Sequence, residues 1–68
     1  MKPTTNDNKR IIAKDIFEVL DVLFKTGKIS RIQCIHQKGL LQMGFGVLHD
    51  IKQLYKVDHK MQQYIILV

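Results

Sequence analysis

One cysteine, one proline and no tryptophan among 68 residues set several exclusions at the outset. A lone Cys34 cannot close an internal disulfide, so a disulfide-framed secreted scaffold is ruled out and a reducing, cytoplasmic setting is expected. The sequence has no run of 18 apolar residues and no basic segment leading into an apolar core. The expectation is therefore a protein that neither spans a membrane nor is secreted. The C-terminal YIILV is too short to cross a bilayer and suits a buried strand. Five aromatics (two Tyr, three Phe) point to a core of Ile, Leu and Val.

Catalytic chemistry is also missing. His36, His49 and His59 have no companion cysteine pair, so their spacing is not that of a structural zinc site. Asp15, Glu18 and Asp21 fall on a solvent face, without the burial that raises a carboxyl pKa for acid–base work. The Gly44-Phe45-Gly46 segment lacks the Lys-Ser/Thr that a phosphate loop requires. Cys34 reads as a small packed residue rather than a nucleophile. No enzyme, no metal and no cofactor is expected.

Acids are absent from Val22 to His49, a stretch that carries Lys25, Lys28, Arg31 and Lys38. Over the whole chain 11 Lys and Arg stand against 6 Asp and Glu, for a net charge of +5. That excess favours a polyanionic partner, with an unpartnered basic surface as the plainer alternative. With 46% hydrophobic residues the chain can fold, but at this length a core is thin and dimerisation is a natural supplement.

Residues 1–8 are polar and aperiodic and read as a flexible tail, with Asn6 or Asp7 as a candidate helix cap and Lys2, Lys9 and Arg10 as candidate nucleic-acid backbone contacts. Residues 9–68 form the domain. Ile12, Ile16, Leu20 and Leu23 recur at helical spacing, which predicts a helix over 9–26 ended by Gly27 at a left-handed position. Asp21 and Lys25 stand at i,i+4 in the favourable order, Lys14 and Glu18 in the reverse. Lys28 to Ser30 reads as extended, with Ser30 capping a helix from Arg31 to Gly39 whose Ile32 and Ile35 face the core. A turn over 43–46 leads to a last helix with Val47, Leu48, Ile51 and Leu54 inward. Residues 56–58 and 63–68 read as two strands around a polar tip, with the Ile29 strand as third partner.

TGKISRIQCI, VLHDIKQLYKV and YIILV, in that order, resemble the winged helix-turn-helix of DeoR-type and related small bacterial or phage regulators. The resemblance runs from Ile12 to Val68. It rests on the Gly-Lys-apolar strand, the Ser cap, the Asp50-Ile51-Lys52-Gln53-Leu54 ending of a recognition helix, and the following hairpin. It implies an α+β fold of three helices with a small two- or three-stranded antiparallel sheet. It also implies a cytoplasmic, dimeric transcription regulator that binds double-stranded DNA, with the last helix in the major groove and the hairpin as wing. The DNA-binding residues so implied are Lys28, Arg31, Lys38, Gln42, His49, Lys52, Gln53 and Lys60, with His59 assisting at the tip. Asp50 is structural in that pattern.

Two departures stand out. Met43, Gly44, Phe45 and Gly46 occupy the head of the recognition helix, where such regulators place Ser, Thr and Arg, and the turn is about two residues longer. Bidentate readout by Arg is therefore not expected. Met43 and Phe45 are expected to fill the gap between the last two helices. Exposed, they would form an apolar knob, and the same fold would then serve as a protein-interaction module (a phage inhibitor or an adaptor) centred on Phe45.

Overall fold

The computed structural model describes residues 10–67. They form β1 (Arg10–Ala13), α1 (Ile16–Lys25), α2 (Arg31–Gln42), α3 (His49–Lys52), β2 (Lys56–Asp58) and β3 (Gln63–Leu67). The domain is α+β, three helices with a three-stranded antiparallel sheet of order β1-β3-β2. The expected tail over 1–8 and the contacts expected of Lys2 and Lys9 lie outside the described residues. Among the described residues no helix is long and apolar enough to cross a membrane.

The first correction concerns the start of the domain. Residues 10–13 are a strand and not the first turn of a helix. Ile11 and Ile12 are consecutive β-branched residues, and the partner they find is β3, at Ile66 and Ile65. Asp15 then opens α1: its backbone is extended and its carboxylate accepts the Glu18 N–H at 2.9 Å. Glu18 reaches back to accept the Lys14 N–H at 2.7 Å, so two orphan donors of the helix start are satisfied reciprocally. The Lys14–Glu18 relation is thus backbone to side chain, and Asp21 turns away from Lys25 toward α2.

Both long helices end the same way. Gly27 (φ +79°) follows α1, with Gly27 N–H donating to Phe24 O and Lys28 N–H to Leu23 O. Gly44 (φ +92°) follows α2, with Gly44 N–H donating to Leu41 O and Phe45 N–H to Leu40 O. These paired bonds are Schellman closures, which need a left-handed residue where glycine meets no Cβ penalty. Gly27 ends its helix as expected. Gly39 does not: α2 runs through it to Gln42, because the left-handed closure comes at Gly44.

Ser30 caps α2 as expected, in a full capping box with Gln33. The phase of the helix is the opposite of the expected one. Cys34 and Gln37 are buried, with Cys34 Sγ 3.5 Å from Leu20 O, while Ile32 and Ile35 point to solvent. The Ile29 segment is a bend and not the third strand, which is β1; Ile29 itself is buried in the core.

The sheet register divides its side chains. Ile11 and Ile66 face one way with Ala13, Tyr64 and Val57; Arg10, Leu67, Ile12, Ile65 and Lys56 face the other. α1 packs on the first face and contributes Val19, Leu20 and Leu23 to a core shared with Ala13, Ile66, Ile29 and Ile51. Each fully buried Leu of that set is worth roughly 1.5–3 kcal/mol. α2 lies against α1. The last helix starts later than expected and is a single turn, with Ile51 buried and Leu48 exposed. Tyr55 follows it and stacks edge-to-face on Tyr64, centroids 5.6 Å apart. The hairpin of β2 and β3 falls where expected.

Candidate nucleic-acid interface

The eight residues named from the sequence divide into five groups. Lys28 and Arg31 are exposed at the α1–α2 junction, Arg31 being the first residue of α2. Lys38 lies on the α1-facing side of α2 and is engaged: its Nζ donates to Asp21 Oδ1 on α1. That hydrogen bond holds the ammonium above its ordinary value of 10.5. Gln42 closes α2, exposed. His49, Lys52 and Gln53 lie on and just after α3, with His49 Nε2 2.9 Å from Gln53 Nε2. With the amide as donor, His49 Nε2 is the acceptor and the ring proton sits on Nδ1. Lys60 is at the hairpin tip, where Asp58 Oδ1 accepts from the backbone N–H groups of Lys60 and Met61 and fixes the turn. The Lys60 side chain is left to solvent.

Carboxylates of the described residues are largely occupied within the chain. Asp15 and Glu18 cap α1, Asp21 holds Lys38, and Asp58 holds the tip; only Asp50 accepts no such bond. Lys38–Asp21 is the one ion pair among the described residues. Lys25, Lys28, Arg31, Lys52, Lys56 and Lys60 make no ion pair among the described residues. Lys56 was not among the residues named from the sequence, and Arg10 was named only as a contact of the tail. Only the strand register places them together, on the outer sheet face.

Gln37 also went unnamed. It is fully buried, its Oε1 accepts the Leu48 N–H at 2.9 Å, and its Nε2 donates to Gly46 O at 3.1 Å. It ties the loop before α3 to α2. Its place between Cys34 and Leu41 on the inward face was a signal, masked by its polarity.

Met43 and Phe45 do not fill the gap between the helices. They are 67% and 61% exposed, which corrects the expectation that they are buried. The Gln37 amide occupies the junction instead. Between the start of α1 and the hairpin lies an open groove of about 480 Å³ lined by Lys14, Phe17, Val57, His59 and Tyr64 among others. Among the described residues no three His, Cys, Asp or Glu side chains come together to hold a metal ion.

The chain matches no family model, no curated protein and no solved structure.

Proposed function

We propose that this protein is a small cytoplasmic regulator of winged-helix type that binds double-stranded DNA mainly through phosphates. The observation that carries the reading is the imbalance of partners: among the described residues the one ion pair engages Lys38 with Asp21, while the cations at the α1–α2 junction, α3 and the hairpin make none. Lys28 and Arg31 contact backbone on one side and Lys60 serves as the wing contact. Lys52 adds a phosphate contact from α3. Gln42, His49 and Gln53 supply the base-edge contacts, and a one-turn α3 keeps that readout modest. Lys38 contributes through its pairing with Asp21 rather than through DNA.

Affinity then falls steeply with salt, because each neutralised phosphate releases counterions. Fluorescence anisotropy on random-sequence duplex across about 50–200 mM salt tests this, a range in which several phosphate contacts lose orders of magnitude in affinity. Lys52→Ala with Lys60→Ala is expected to lower the slope of log K against log salt by about 2. Absence of binding by the unaltered protein at low salt ends the proposal.

The exposure of Met43 and Phe45 favours a second reading, a protein-interaction module of the same fold built around Phe45. In that reading Phe45→Ala removes partner binding and Lys52→Ala leaves it intact.

A further inference from the structure

The buried side of α2 is marked by Cys34, Gln37 and Leu41. Diametrically opposite, at helical spacing, lie Ile32, Ile35, Gly39 and Met43. Ile32 is 79% exposed and Ile35 59%, and with Met43 they place three exposed apolar side chains on one face, of residue types that are most often buried. Gly39 sits in the middle of this face. It has no left-handed φ to satisfy and a Cβ there would meet nothing within 4 Å, so nothing among the described residues calls for glycine. Its cost to helix stability has no return within the monomer.

The charges of α2 are also reversed against its dipole. The first turn has no acid and begins with Arg31, and the last turn has no base. Within one chain Arg31 faces the positive end of its own helix. Two copies of α2 packed antiparallel would bring each Arg31 toward the negative C-terminal end of the other helix, and both defects would be corrected at once.

We propose that the Ile32–Ile35–Gly39–Met43 face is a homodimer interface, on which α2 of a second copy packs antiparallel about a two-fold axis near Gly39. Glycine at the crossing lets the two axes approach closely, Ile35 of each chain meets Met43 of the other, and Phe45 extends the contact past the helix end. A shared α2 face gives this thin domain the apolar burial that its own core does not supply. The inference does not depend on DNA binding.

Sedimentation equilibrium of the full chain, without DNA, tests it with three variants. The unaltered protein is expected to be a dimer, and Ile35→Glu a monomer with an unchanged circular dichroism spectrum. Gly39→Gln is expected to be at least as heat-stable as the unaltered protein at dilutions where both are monomeric, yet to associate at least about tenfold more weakly. Arg31→Glu complements its own helix dipole and opposes the partner's, so the monomer melts no lower and the dimer weakens. A monomeric unaltered protein at every concentration overturns the proposal. So does a dimer indifferent to Ile35→Glu and Gly39→Gln; where Ile35→Glu unfolds as it dissociates, Gly39→Gln decides, and a dimer that it leaves at full strength overturns the proposal. A dimer that Arg31→Glu leaves untouched overturns the antiparallel arrangement.

Discussion

Gln37 grips the backbone on either side of Val47: its amide accepts the N–H of Leu48 and donates to the carbonyl of Gly46, as a neighbouring strand would. The loop into α3 has no side-chain cap of its own, since the N-cap position is Leu48. The amide therefore sets where α3 begins. Gln37→Leu should cost about 1–3 kcal/mol in urea unfolding, the range for stranding buried hydrogen-bonding groups. Gln37→Glu keeps the acceptor but loses the donor and buries a charge. Its carboxyl would titrate high, so its deficit should shrink as pH falls and the protonated acid donates again. A deficit independent of pH would show that this side chain does not bond Gly46 as described.

Three of the four glycines make a graded test. Gly27→Ala and Gly44→Ala force a Cβ into the left-handed region and should each cost about 1–2 kcal/mol in thermal or urea unfolding. Gly39→Ala, in open space within the helix, should instead stabilise by up to about 1 kcal/mol at dilutions that favour the monomer. Equal effects at all three positions would contradict the helix ends described above.

The pattern of terminators explains one misreading of the sequence. Gly39 and Gly44 look alike in the chain, and only the closure of Phe45 N–H onto Leu40 O distinguishes the one that stops α2. The phase of α2 was lost for a related reason. Isoleucine is more apolar than cysteine or glutamine, so Ile32 and Ile35 are assigned inward unless Gln37 is known to have backbone partners. At the domain's start, Ile12, Ile16, Leu20 and Leu23 share helical spacing, but Ile12 belongs to a strand whose partner lies near the other end of the sequence. The hairpin, the Ser30 cap and Gly27 were legible because each is specified by its immediate neighbours. Of the candidate site, most of the cations could be named, while Lys38's engagement by Asp21 and the place of Lys56 on the same sheet face as Arg10 required the fold.

Alkaline pH should expose two groups. Lys38 is held above 10.5 by its bond to Asp21, and burial beside Tyr64 holds the Tyr55 hydroxyl above 10.0. In each the folded form keeps its proton longer than the unfolded chain does. Their stabilisation is therefore complete below the unfolded values and is lost as pH rises through the folded ones. Urea midpoints should hold level up to about pH 10 and then decline. Tyr55→Phe and Asp21→Asn should each flatten that decline. An unaltered slope in both would place the loss in other groups.

The sheet order also bears on how the molecule comes into being. β3 is the central strand and the last element in sequence, flanked by β1 from the opposite end and β2. During synthesis β1 emerges before β3 and has no sheet partner among the described strands until β3 follows. The helices can coil as they appear, but the layer they rest on is assembled in one event, when β3 arrives. A nascent chain stopped before Gln63 would hold two strands and no sheet.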